Sequence, residues 1–129
     1  MEPEKVRREV VLPAPPEEVW AALVLPERLS AWFGARVDMP VASPGARATF
    51  AFPDGSSRSA VIEVAEAERC LVLRWLPFER TAEGRLRQRR PTTVEFVLRL
   101  CPEGTRLEVT ESGGTAPLVG NLAVAGASR

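Results

Sequence analysis

Residues 92–111 read TTVEFVLRLCPEGTRLEVTE. Two runs flank Pro102-Glu103-Gly104, and both alternate. Successive side chains of a strand point to opposite faces. Val94, Phe96, Leu98 and Leu100 therefore share one face, against Glu95, Val97, Arg99 and Cys101 on the other. Beyond the turn, Leu107 and Val109 oppose Arg106, Glu108 and Thr110. Pro presets φ at the second turn position and Gly accepts positive φ. The stretch thus spells an antiparallel hairpin with one apolar face and one wet face, a common arrangement for antiparallel sheets.

The same pattern extends upstream. Strands are predicted at Ala35–Met39, Ala46–Phe52, Arg58–Ala65, Cys70–Phe78, Thr92–Cys101 and Thr105–Glu111, with Pro53-Asp54-Gly55 as a second turn. Inner-face residues are Ala48, Phe50 and Phe52, then Ala60, Ile62 and Val64, then Leu71, Leu73 and Trp75. Opposed residues of paired strands share a face. We therefore set Leu71 against Leu100, Leu73 against Leu98 and Trp75 against Phe96, which brings Cys70 opposite Cys101. The outer face then carries Arg47, Glu63, Arg74, Glu95, Arg99, Arg106 and Glu108. Before the meander, Val6–Leu12 reads as an edge strand stopped by Pro13, Pro15 and Pro16. A short helix is predicted over Pro16–Leu23, with Pro and acidic residues suited to its first turn. A second helix opens at Pro26, carries Leu29, Trp32 and Phe33, and ends at Gly34 as a C-cap.

Strand, two short helices and a meander resemble the helix-grip fold of the START-like (SRPBCC) superfamily. The stretches APPEEVWAALVLPERLSAWFG, FAFPDG, AVIEVAEAERCLVLRW and TTVEFVLRLCPEGTRLEVTESG resemble its branch related to activators of a heat-shock-protein ATPase. The resemblance covers about residues 6–113 of a single domain, 1–129. It implies an α+β fold: a curved antiparallel six- to seven-stranded sheet with two short helices after the first strand. It also implies a long C-terminal helix across the concave face. Here Thr115–Arg129 is interrupted by Gly120 and Gly126. A helix over Pro117–Ala125 would be only about 14 Å long, against roughly 33 Å for the strand Thr92–Cys101. The expectation is an open groove or association through the uncovered region, because large exposed apolar patches are uncommon in monomers.

Composition narrows the chemistry. The 129 residues carry 17 Lys+Arg and 17 Asp+Glu, and a net charge of zero argues against nucleic-acid affinity, which needs a basic footprint. Lys5 is the sole Lys, which we read as GC-rich bacterial coding. There is no His, which removes Ser-His-Asp and Cys-His catalysis and the commonest ligand for zinc or iron. Two Cys cannot make a disulfide scaffold. The charged N-terminus is unlike a signal peptide, and no apolar run approaches the ~20 residues of a membrane span. A cytoplasmic protein without cofactor, metal or membrane partner is expected.

The candidate ligand-binding residues are Trp32, Phe33, Phe50, Phe52, Ile62, Leu73, Trp75, Phe96, Leu98, Val109 and Glu111. Ligand pockets are mostly apolar with a few placed polar groups, and this set meets that description; a closed core meets it equally. Glu111 continues the phase of Leu107 and Val109, and could orient a ligand or stand at a solvated strand end. Trp20 and Trp32 read as core or pocket mouth. Arg85, Arg87, Arg89 and Arg90 form a solvated loop or an anion site. Cys70 and Cys101 read as free thiols or a cross-strand pair. Three functions follow: a non-enzymatic binder of a small hydrophobic molecule; an interaction or co-chaperone-like module, with a homodimer as one form; and a cyclase- or hydrolase-like enzyme for which Glu111 is the sole candidate.

Overall fold

The computed structural model describes residues 5–113. The expected C-terminal helix over Pro117–Ala125 lies outside them. Strand β1 (Lys5–Leu12) leads into helices α1 (Pro16–Val24) and α2 (Pro26–Phe33). Strands β2 (Arg36–Asp38), β3 (Arg47–Ala51), β4 (Ser57–Glu66), β5 (Cys70–Arg80), β6 (Leu86–Gln88), β7 (Thr93–Cys101) and β8 (Gly104–Ser112) follow. They form one antiparallel sheet in the order β1-β8-β7-β5-β4-β3-β2, with β6 paired to β5.

The helices form where the prolines permit. Each has Pro in its first turn, where the missing N–H costs no hydrogen bond. Leu25 caps both, ending α1 and preceding α2 in an extended conformation. Gly34 terminates α2 at φ +90°. Ser30 locks α2 to the sheet: its hydroxyl donates to the Pro26 carbonyl at 2.7 Å and accepts from the Val37 N–H at 2.8 Å. Helix α1 lies against β7 and β8, and α2 against β2. Val19, Leu23 and Leu29 thereby join the core formed by the sheet's inner face. Trp20 packs partly buried against this core.

Two features of the sheet differ from the sequence expectation. Leu71 pairs with Phe96 and Leu73 with Val94, and the Trp75 N–H donates to Thr92 O at 2.8 Å. The β5–β7 register is thus displaced by four residues from Leu71–Leu100. An even displacement leaves every side chain on its expected face, so alternation cannot detect it. The displacement arises because Leu86–Gln88 is a strand pairing with Phe78–Arg80. The chain therefore returns beside β5 earlier than a plain loop would allow. Leu100 then overruns its partner strand and is 76% exposed. Second, β4 has a register irregularity between Ile62 and Val64. Val64 pairs with Val72 on the outer side, and Ala65 takes the inner position against the core.

The register also separates the cysteines. Cys70 pairs with Val97 and Cys101 with Gly104, and both thiols are free. Burial pushes the Cys70 thiol up, aided by the charges of Glu95 and Glu66. Both cysteines should react with a thiol reagent in the native protein, Cys70 gaining rate as pH rises past the usual thiol range. A mass that changes on reduction of the unfolded chain would contradict the register.

Candidate functional site

The inner face gathers the candidates into one body. Phe50, Ile62, Leu73, Trp75, Phe96, Leu98 and Val109 are buried. Phe33 on α2 stacks at 5.0 Å from Phe50, and Phe50 meets Trp75 edge-on at 4.7 Å. Such pairs add about 0.5–1.5 kcal/mol beyond area burial. Trp32 lies on α2, but its side chain falls outside the described residues. Phe52 is half-buried at the end of β3.

Glu111 does not stand at a solvated strand end. It is 4% exposed, and its Oε2 accepts from the Thr92 hydroxyl at 2.8 Å. Its Oε1 has no hydrogen-bond partner among the described residues. The Nε1–H of Trp75 is buried and equally unpartnered. Trp75 on β5 is joined through its backbone to Thr92, and Thr92 through its side chain to Glu111 on β8. A carboxylate oxygen and an indole N–H thus lie without partners among the described residues on a mainly apolar face. A buried group without its hydrogen bond costs about 1–3 kcal/mol, and native structures tolerate few of them.

Two further residues escaped the sequence reading. Arg58 shares the inner phase of Ala60 and Ile62, a signal present in the alternation but hidden by the residue's charge. It is 7% exposed. Its Nε and Nη2 donate to Leu76 O at 3.2 and 2.9 Å, and Nη2 also reaches Arg90 O at 3.1 Å. The guanidinium sits 5.3 Å from the centre of the Trp75 ring, a cation–π geometry. Glu79 is also buried. Its Oε1 accepts from Arg87 Nε at 3.1 Å, Arg87 Nη2 at 2.7 Å and Arg89 Nη1 at 2.6 Å. The arginine-rich segment is therefore no plain solvated loop: two of its guanidinium groups anchor β6 to β5.

Burial pushes the Glu79 carboxyl up, but hydrogen bonds from Arg89 and Arg87, with their charges, outweigh it and hold the group below the ordinary carboxylate range. A depressed carboxyl stabilises the fold above its unfolded pKa and loses that contribution as pH falls through its folded value. Glu79→Gln should therefore cost about 1–3 kcal/mol at pH 7, with the difference from wild type shrinking toward pH 3. Urea unfolding at both pH values checks this; a difference that grows on acidification would refute the assignment.

Around Arg58 and Glu79 the end of the sheet opens into a cleft of about 430 Å³, lined by Phe52, Pro53, Asp54, Ser56, Arg58, Glu79 and Arg89. Of these residues the sequence pointed to Phe52, as a ligand-binding candidate, and to Arg89, within the arginine-rich segment. Among the described residues no group of three or more His, Cys, Asp or Glu could hold a metal ion. No described helix is long and apolar enough to cross a membrane.

The curled antiparallel sheet with two short helices after its first strand is a helix-grip-like α+β fold. Residues 13–123 match the family described as Activator of Hsp90 ATPase homolog 1-like protein, and the chain belongs to that family. Family and fold make it a ligand-binding or co-chaperone-like domain. No curated protein matches it in sequence. Among solved structures it is similar to a protein of Mesorhizobium loti, at 23% identity and TM-score 0.72, covering 94% of this chain and 84% of that one. It is also similar to DynU16, a protein in the dynemicin biosynthetic locus, at 27% identity and TM-score 0.71. There the match covers 93% of this chain but 46% of DynU16. A third similar structure, from Bacillus halodurans, shares 25% identity at TM-score 0.67 over 89% of this chain and 73% of that one.

Proposed function

We propose that the chain binds a small, largely apolar molecule on the concave face of the sheet and performs no chemistry on it. The observation that carries this reading is the pair of buried groups, Trp75 Nε1–H and Glu111 Oε1, left without a partner among the described residues on a mainly apolar face. A pocket for an apolar ligand needs few polar groups, placed to fix orientation. One donor and one acceptor suit a neutral molecule bearing hydroxyl or keto oxygens. A second carboxylate would be repelled by Glu111, and a protonated amine could not accept from Trp75.

Native mass spectrometry of the purified protein tests this. A monomer carrying extra mass released by organic solvent supports the reading. A dimer without extra mass favours the co-chaperone-like interaction module, with the homodimer as its form. Glu111→Gln sharpens the test. Loss of the carboxylate acceptor should lower ligand retention about tenfold while leaving the melting temperature little changed, because the amide oxygen can still accept from the Thr92 hydroxyl. A lowered melting temperature with full retention would make Glu111 structural and sink its role in binding.

A further inference from the structure

The cleft at the end of the sheet is charged where the concave face is mainly apolar, and the two meet where Arg58 lies against Trp75. Its base is Arg58, held by three hydrogen bonds from Nε and Nη2 to the carbonyls of Leu76 and Arg90. The remaining nitrogen, Nη1, donates to no described residue, and it is not among the buried atoms sealed from solvent. Among the described residues Arg89 commits only Nη1, to Glu79, and leaves Nε and Nη2 unengaged. Both arginines line the cleft.

Its acidic residues are already engaged. Glu79 Oε1 takes three guanidinium donors. Asp54 Oδ1 accepts from the N–H of Ser56 at 2.8 Å and its hydroxyl at 2.6 Å. Counting Arg87 with its partner Glu79, the group of Arg58, Arg87, Arg89, Glu79 and Asp54 has one cation in excess. Phe52 and Pro53 supply the apolar part of the lining.

We propose that this cleft is a binding site for a small organic carboxylate, held by the Nε–Nη2 edge of Arg89 and by Nη1 of Arg58, with its apolar body against Phe52 and Pro53. A planar carboxylate matches the guanidinium fork. A monoanion suits guanidinium groups that already face Glu79, Asp54 and, at Arg58, Glu111, whereas a dianion would meet stronger repulsion from the same carboxylates. Arg58 is pre-organised by its carbonyl contacts, so little side-chain freedom is lost on binding. Its position over Trp75 makes that indole a reporter of occupancy.

Benzoate, benzamide and inorganic phosphate, titrated separately into the full chain, test the site through the Trp75 indole resonance, assigned with Trp75→Phe. Benzoate should shift it saturably and benzamide should not. Arg89→Gln, at a partly exposed position that leaves Arg58 in place, should weaken benzoate about tenfold. Arg58→Lys, which keeps the charge but loses Nη1 and the carbonyl contacts that place it, should weaken it at least as much. Equal binding of benzamide would overturn the proposal by showing that charge is not read. Tighter binding of phosphate would overturn the carboxylate assignment, and the absence of any saturable benzoate shift would remove the site.

Discussion

Gly104→Ala is expected to cost at least about 4 kcal/mol, in the range reserved for a few mechanisms of severe destabilisation. Gly104 opens β8 at φ +140°, and a Cβ there would stand 2.1 Å from Leu12 O, 2.8 Å from Ala14 N and 3.1 Å from Ala14 O. All three atoms are backbone, so none can swing aside. They are also where the chain leaves the sheet for α1. Ala14 N–H donates to Leu12 O at 2.8 Å, and the buried Thr105 hydroxyl donates to Ala14 O at 2.7 Å. Admitting a methyl group therefore means parting β1 from β8 at Leu12–Thr105. Gly84→Ala is the control. It too has positive φ, at +86°, but nothing lies within 4 Å, so only the left-handed conformation is penalised, at about 1–2 kcal/mol. Chemical denaturation of both variants checks the contrast. Equal midpoints would mean that the hairpin does not press on the β1–α1 connection.

Phe50→Ala is expected to cost about 3–5 kcal/mol, the range for deleting a buried aromatic side chain. Phe50 is 0% exposed and joins three parts of the fold. It pairs with Val37 across β2, stacks on Phe33 of α2 and meets Trp75 of β5. Its removal would uncouple α2 from the sheet and free the Trp75 ring. With total stabilities of about 5–15 kcal/mol for domains in general, that loss should lower the unfolding midpoint steeply. It should also alter tryptophan fluorescence before unfolding begins. Phe50→Leu, which keeps most of the volume, should recover most of the stability. If Phe50→Ala costs less than about 1 kcal/mol, the aromatic cluster is not the packing centre described here.

The fold was legible because its signals are local. Alternation over Thr92–Glu111, the turns at Pro53-Asp54-Gly55 and Pro102-Glu103-Gly104, and Pro at the start of each helix act over a few residues. The structure places strands and helices close to where these signals put them. The candidate site was legible as a face. The aliphatic and aromatic residues in phase with Phe96 and Trp75 are buried together. Arg58 was missed because a charge in the inner phase reads as a strand end, although its guanidinium finds carbonyls and a ring to lie against. Glu79 was missed because its partners come from a segment whose charges suggest solvent.

By itself the sequence determined most of the apolar residues that face inward, where the chain turns and which catalytic chemistries its lack of histidine excludes, since all of these follow from residue type and short-range spacing. Only the tertiary structure decided the four-residue displacement between β5 and β7 and the separation of the two cysteines. It alone decided the exchange of Val64 for Ala65, the pairing of β1 with β8, the burial of Glu111 and the charged cleft at Arg58. The physical reason is common to them. Alternation is unchanged by an even slip, and charge alone does not say whether a group lies in water. What sets a register, a bulge or a buried ion pair is which distant strand arrives beside it.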